Sequence, residues 1–324
     1  MSLIGVDIGG AKTTIGVADD NGNLIDKKRL TTIAGLGSEQ AVDSIKAAIW
    51  GLLNNYNISC DDIRGIGVGC GGTVDKDKGC VLSAPNMPGW ENLALADAFK
   101  QEFNAPAWLD NDGTAATIGE MVFGAGMHAA DFVYFTVSAG IGGGIVIDHK
   151  LYRGSGGGAG EFGHQVILPD GPPCMCGHHG CLEALASGAS IARRARRECS
   201  DWPSTILLHW VDGDPMLITA EHVSRGASDG DEFSSYIWSQ AMTYLGIGVA
   251  NVVNSLNPEL VVIGGGVTRA GELFFEPVRR IVSERVLPAL GKNLGIVPSA
   301  LGTEVGVVGA VALAMERLGM LDNG

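Results

Sequence analysis

The chain opens on two apolar stretches, residues 3–8 and 14–19, separated by Gly9-Gly10, and Asp20-Asn21-Gly22-Asn23 then marks a hairpin leading into residues 24–30. This pattern predicts three strands. Behind Ser38 the apolar positions Val42, Ile45, Ile49, Leu52, Leu53 and Tyr56 recur at three-and-four spacing, which predicts a capped helix. A strand over 64–70, a helix over 93–103, a short strand at 106–109 and a helix over 113–123 follow. From residue 132 the opening pattern returns: an apolar run to Val137, a glycine turn at 140–144, the strand Ile145-Val146-Ile147 and the turn Asp148-His149-Lys150. Helical spacing then covers 183–199, 231–256, 272–287 and 303–318, with a strand at 260–263 feeding Gly264-Gly265-Gly266. The mixture defines an α/β class, and the repeated unit predicts two similar halves facing each other across a cleft that could grip a nucleotide.

Composition narrows the function. With 324 residues, two domains are expected at about 150 residues each. Hydrophobic residues make up 46% and charged residues 18%, which argues against disorder and against a small disulfide scaffold. The net charge of −14 opposes binding along a nucleic-acid backbone. No apolar run reaches the roughly 18 residues of a membrane span, and the N-terminal apolar stretch is too short for a signal sequence. A cytoplasmic protein without membrane attachment is the expectation.

Three motifs carry chemistry. In Asp7-Ile8-Gly9-Gly10-Ala11-Lys12-Thr13 a carboxylate at a strand end can hold Mg²⁺ through water, Gly9 and Gly10 let backbone amides approach phosphate oxygens, and Lys12 can balance negative charge. An ordinary β-turn is the alternative. The turn containing Gly140 and Gly142 can supply a facing phosphate grip or be a plain hairpin. Gly67-Val68-Gly69-Cys70-Gly71-Gly72 matches a dinucleotide fingerprint, but the polar turn at 73–79 stands where its helix should begin, so a dehydrogenase is rejected. Asn111-Asp112 lies between a strand and a helix, where Asp112 can stay ionised and accept a proton from a bound hydroxyl, or either residue can simply cap the helix. Asp110 is a rival base.

The seven cysteines include Cys174, Cys176 and Cys181 within eight positions, preceded by His164. Nitrogen and sulfur donors so spaced suit a closed, structural tetrahedral Zn²⁺, with His178 and His179 as substitute ligands for His164, and buried structural cysteines without metal are the alternative. Glu161 and Glu183 flank this loop and can accept hydrogen bonds from a polyol or lie on a solvated surface. Arg193, Arg194, Arg196 and Arg197 read as a solvated helix face.

Together these segments resemble the ROK family (repressor, open reading frame, kinase), in particular its glucokinase-like sugar kinases. The likeness runs from Val6 to about Leu313 and includes Ala84-Pro85-Asn86-Met87-Pro88-Gly89-Trp90, Gly160-Glu161-Phe162-Gly163-His164 and the Cys174–Glu183 segment. The resemblance implies a duplicated actin-like, ribonuclease-H-like fold closing over sugar and ATP. One lobe is expected over 1–116 plus 303–324, the other, with the zinc loop, over 117–302. It further implies Asp112 as catalytic base, Asn86, Asn111, Glu161, His164 and Glu183 on sugar hydroxyls, and His164 dividing its two ring nitrogens between zinc and sugar. Gly9, Gly10, Lys12, Gly140 and Gly142 would line the phosphates, and Gly264 and Gly265 would lie toward the nucleoside. Two positions depart from the family pattern: Ala11 stands where threonine is usual, and Ser138-Ala139-Gly140 where Gly-Thr-Gly is usual, with Thr13 and Ser138 the nearest hydroxyls.

The expected reaction is phosphorylation of glucose at its 6-hydroxyl, with N-acetylmannosamine, N-acetylglucosamine, fructose and allose as alternative hexoses. A homodimer or higher homo-oligomer is the expected assembly. Rival classes are a sugar-responsive repressor, whose DNA-binding segment would precede a first phosphate motif that here has six residues before Asp7, and a catalytically silent sugar-binding protein.

Overall fold

The computed structural model describes residues 1–10, 12–31, 37–84 and 87–321. In chain order the strands and helices begin β1 (Ser2–Ile8), β2 (Lys12–Ala18), β3 (Leu24–Thr31), α1 (Ser38–Asn55), β4 (Ile63–Cys70), β5 (Thr73–Asp75), β6 (Cys80–Ser83), α2 (Leu95–Phe103), β7 (Ala107–Asn111) and α3 (Asp112–Phe123). They continue β8 (Phe132–Val137), β9 (Ile141–Ile147), β10 (Lys150–Tyr152), α4 (Leu182–Ala186), α5 (Gly188–Glu198), α6 (Ile206–Trp210), α7 (Ala220–Ser228) and α8 (Glu232–Leu256). The chain ends β11 (Leu260–Gly264), α9 (Glu272–Arg285), α10 (Pro288–Gly291), β12 (Gly295–Pro298) and α11 (Val305–Arg317).

The predicted duplication is visible in topology. One five-stranded sheet has the order β3-β2-β1-β4-β7 and the other β10-β9-β8-β11-β12, the same third-second-first-fourth-fifth sequence in each. By contacts the chain divides into Met1–Tyr134, Gly144–Gly160 and Ser299–Gly324 as one unit, and Phe135–Gly143 and Glu161–Pro298 as the other. The boundary expected between 116 and 117 therefore falls inside α3. That helix packs along α11, and the two belong to one unit.

In the first unit the period-two alternation of β1 sorts its side chains. Ile4, Val6 and Ile8 enter a core built with Ile45, Ile49 and Leu53 of α1 and Phe99 of α2. Leu3 packs on Val311 and Ala314 of α11 on the other face. Each such buried aliphatic side chain is worth about 1.5–3 kcal/mol. Glycines on β1 and β4 admit α11 at close range: a Cβ on Gly5 would lie 2.8 Å from Val311 Cγ2, and one on Gly67 would collide with the Ala310 carbonyl. At the far end of α3 the buried Glu120 carboxylate accepts hydrogen bonds from Ala125 N at 2.7 Å, Ser299 Oγ at 2.5 Å and Leu301 N at 3.2 Å. This fixes the segment leading into α11.

Two local expectations change. Helix 183–199 is broken at Ser187, whose extended backbone and side-chain bond from Ser190 N start α5 afresh. The polar turn at 73–79 is the hairpin of β5 and β6. None of the seven cysteines is in a disulfide. Among the described residues no helix is long and apolar enough to cross a membrane.

Candidate active site

In the first unit β1, β4 and β7 run parallel, with Ile8 opposite Cys70 and Cys70 opposite Asn111, so their carboxyl ends finish in one row. Loops at that edge are where open α/β sheets bind ligands. Asp7, one residue from the end of β1, points to the α11 face, like Leu3 two turns of the pleat earlier. A side chain at Gly306 would collide with its carboxylate, so that glycine lets the first turn of α11 approach. Burial raises the Asp7 carboxyl to about 7, the negative charge of Asp112 adds to the rise, and Lys12 opposes it. Gly9 N donates to Lys12 O at 3.0 Å, closing the turn between β1 and β2. Ala11 and Asn86 lie outside the described residues.

Asn111 caps α3: its Oδ1 accepts Gly113 N at 2.9 Å and Thr114 N at 3.2 Å. Its Nδ2 donates to Gly72 O at 2.9 Å, which leaves one amide hydrogen for a ligand. Asp112 is the first residue of α3, with Oδ1 accepting Gly113 N at 2.9 Å and Oδ2 3.5 Å from where a Cβ on Gly71 would stand. Asn111 thus takes the capping role, and Asp112 opens the helix with its charge acting on Asp7 at the sheet edge. Asp110, the rival base of the sequence reading, is 2% exposed and accepts Arg153 Nε at 3.1 Å and Asn111 N at 2.9 Å. Burial pushes its carboxyl up while Arg153 opposes the rise.

In the second unit Glu161, His164 and Glu183 come from two short segments. Phe162 stacks on Phe135 of β8 with ring centroids 4.5 Å apart, and Gly163 sits so close to the Ile141 carbonyl that a Cβ would collide with it. These contacts hold the 3-10 turn Phe162–His164 against β8 and β9 and leave Glu161 and His164 partly exposed. Glu183, on α4, accepts Ile141 N at 2.8 Å. A side chain at Gly140 would collide with that carboxylate, whereas one at Gly142 would only reach ordinary contact, 3.5 Å from Thr136. The glycine at 140 thus makes room for Glu183.

His164, Cys174, Cys176 and Cys181 place ligand atoms within 4.8 Å of one another. Cys176 Sγ is 3.7 Å from Cys181 Sγ, and Cys174 Sγ is 3.7 Å from His164 Nδ1. Zn–S bonds of about 2.3 Å in a tetrahedron give an S–S edge of about 3.8 Å, so donor type and spacing both fit zinc. The other ring nitrogen, His164 Nε2, is 3.8 Å from Glu161 Oε2. His178 lies instead beside Cys176, its Nδ1 3.5 Å from Sγ. The Cys176 thiol is lowered to about 6, chiefly by the His178 N–H.

A cavity of about 670 Å³ opens in the same unit, bordered by Ser138, Ala139, Gly188, Ala189 and Gly266 and walled by α7. Gly188 N donates to Ser138 O at 2.7 Å, which seats the start of α5 on the end of β8. Of the last glycines, Gly266 borders the cavity, Gly265 backs onto Val137, and neither Gly265 nor Gly264 is part of the cavity lining. Sequence reasoning also missed Arg196. It borders the cavity and donates to Ile218 O at 2.8 Å, while Arg194 and Arg197 pair with Glu198, so the arginine cluster is not a uniformly solvated face. Helical spacing alone does not distinguish these arginines.

Two sheets of identical strand order, each followed by helices, define the duplicated actin-like ATPase fold. The sequence pattern of the ROK family matches residues 3–317, and the chain belongs to that family. The glucokinase of Thermotoga maritima is 34% identical over 319 residues, covering 98% of this chain and 99% of that one. A crystal structure of a ROK family glucokinase from Streptomyces griseus, in complex with glucose and AMPPNP, superposes with a TM-score of 0.86 at 34% identity, covering 98% of this chain and 100% of that one. A xylose repressor of Caldicellulosiruptor bescii is 33% identical over 317 residues, covering 98% of this chain and 79% of that one.

Proposed function

We propose that the protein is an ATP-dependent hexose kinase that transfers the γ-phosphoryl group of ATP to the 6-hydroxyl of glucose. The observation that carries this reading is the placement of Asp112 on the first turn of α3, beside Asp7 at the carboxyl edge of the parallel strands, in a ROK chain similar throughout its length to glucokinases.

In this reading Asp112 accepts the proton of the attacking hydroxyl as the oxygen bonds to phosphorus and the bond to ADP breaks. Glu161, His164 through Nε2, Glu183 through its second oxygen, Asn86 and the remaining amide hydrogen of Asn111 hold the sugar hydroxyls. Lys12 and the backbone amides of Gly10, Gly140 and Gly142 carry the phosphates, Gly9 closes the turn that presents them, and the cavity beside Ser138 and Gly266 receives the nucleoside. Ser138 supplies a hydroxyl at the cavity edge where the family pattern has another loop sequence. A Mg²⁺ ion beside Asp7 would offset the like charges of Asp7 and Asp112 together with those of the phosphates. The Zn²⁺ ion held by His164 Nδ1, Cys174, Cys176 and Cys181 would be structural and would fix the orientation of the His164 ring. Base catalysis is typically worth about 10²–10⁴ in rate, so orientation and charge neutralisation supply the larger share.

A coupled assay with ATP and a panel of hexoses tests the reading. Glucose is expected to turn over fastest, and Asp112→Asn is expected to lose turnover while calorimetry still detects glucose binding. Normal turnover by Asp112→Asn removes that residue from the role. The likeness to a xylose repressor favours a second reading, sugar binding without phosphorylation, which hexose binding with no turnover in the unaltered protein would support.

A further inference from the structure

The helix that begins with Asp112 is anchored from behind by a partly buried ionic chain that no sequence motif announces. Arg153, just after β10, donates through Nε to Asp110 Oδ2 at 3.1 Å and through Nη1 and Nη2 to the two oxygens of Glu316 at 3.0 and 2.6 Å. Its side chain is 18% exposed, and Asp110 is 2% exposed. The second oxygen of Asp110 accepts Asn111 N at 2.9 Å, and Asn111 in turn holds Gly113 N, Thr114 N and Gly72 O. A continuous series of charge-assisted bonds therefore runs from α11 through Arg153 to the backbone immediately ahead of Asp112. Burial works against the guanidinium's charge, and Glu316 and Asp110 more than offset it.

The backbone of Arg153 has a second attachment. Its carbonyl accepts Ala159 N at 3.1 Å and closes the base of the glycine-rich stretch Gly154–Gly160, which leads directly into Glu161. One residue thus secures both the strand end that precedes Asp112 and the loop that precedes Glu161.

We propose that Arg153 is a positioning residue for phosphoryl transfer: through Asp110 it sets the backbone of Asn111 and so the aim of the Asp112 carboxylate. This rests on Asp112 being the base. Arg153 touches no reactant, so its removal acts on the orientation of the attacking pair more than on sugar binding. A displacement of about 1 Å at a reacting group costs roughly 10²-fold in rate.

The test compares Arg153→Met, Arg153→Lys and the double variant Asp110→Asn with Arg153→Met in the full chain. Arg153→Met is expected to lower kcat roughly 10²-fold with KM for glucose changed less than about twofold. Arg153→Lys, which keeps one charged donor, is expected to recover part of kcat. The double variant removes the buried unpaired carboxylate and is expected to recover melting temperature without recovering kcat. Wild-type kcat in a folded Arg153→Met protein, or kcat that returns together with melting temperature in the double variant, overturns the proposal. Hydrogen exchange at the Gly113 and Thr114 amides gives a readout independent of activity. Exchange faster in Arg153→Met than in the unaltered protein is expected, and unchanged exchange overturns the positioning role. Absence of turnover by the unaltered protein on every hexose would instead overturn the kinase reading and leave the exchange result to decide on Arg153.

Discussion

Substituting Gly309 by alanine tests whether the close crossing of α3 and α11 sets the geometry at Asp112. A Cβ on Gly309 would lie 2.5 Å from the Ala115 carbonyl carbon and 2.8 Å from Ala116 N, and one on Gly119 of the facing helix would lie 2.9 Å from Gly309 Cα. The obstacles are backbone atoms, so no side chain can swing aside. Restoring van der Waals separation of about 3.5 Å requires the helices to part by roughly 1 Å. Overpacking of this kind costs about 1–3 kcal/mol, or about 2–4 °C in melting temperature per kcal/mol for a unit of 150–250 residues. The same displacement at the start of α3 lowers turnover by roughly 10²-fold. Gly51→Ala is the matched control: it lies inside α1, nothing comes within 4 Å of its added Cβ, and helix propensity makes the change stabilising by up to about 1 kcal/mol. Thermal melts and steady-state turnover of the two variants provide the measurement. A Gly309→Ala protein that melts and turns over like the unaltered chain refutes the claim that the two helix backbones are in contact at this point.

The remaining expectations concern zinc and pH. Cys176→Ser, or removal of metal by chelation, is expected to loosen the loop attached to His164 and weaken glucose affinity in calorimetry, and equal affinity with and without metal counts against the role of the cluster. Asp7 titrates at about 7 in the folded chain against an ordinary 3.8, so between those values the folded state retains a proton that the unfolded state has released. Its contribution makes stability fall as pH rises from about 4 to 7, and it disappears in Asp7→Asn. Melting curves of both chains across that range, without nucleotide or magnesium, check it, and identical pH slopes would dismiss the burial of Asp7.

Much of the fold was legible because it is written in local periodicity. The β1–β2–β3 meander, α1, α8 and the second appearance of strand, glycine turn and strand all follow from alternation, helical spacing and turn residues. The break at Ser187 was not, since a serine inside an otherwise helical pattern can cap a new helix or sit within the old one. Short β12 carries only Gly295-Ile296-Val297-Pro298, too little pattern to separate from a loop. At the site, residues whose chemistry is local to a motif were recoverable: the Asn111 cap, Asp112 at a helix start and the His-Cys cluster. Arg153 meets Asp110 across 43 positions and Glu316 across 163, so only the fold brings them together. Gly140 reads as a phosphate turn in sequence, and its steric relation to Glu183 becomes visible only in space.

That relation has a consequence for altering the protein. Gly140 and Glu183 are joined by the Ile141 N–H bond and by the room the missing side chain provides, so a library that randomises residue 140 also perturbs residue 183. On the proposed reading, in which Gly140 lines the phosphates and Glu183 holds a sugar hydroxyl, donor preference and acceptor preference are not separately adjustable at these two positions: a variant selected for a new phosphate source inherits an altered hydroxyl contact, and productive combinations are expected from varying both codons at once.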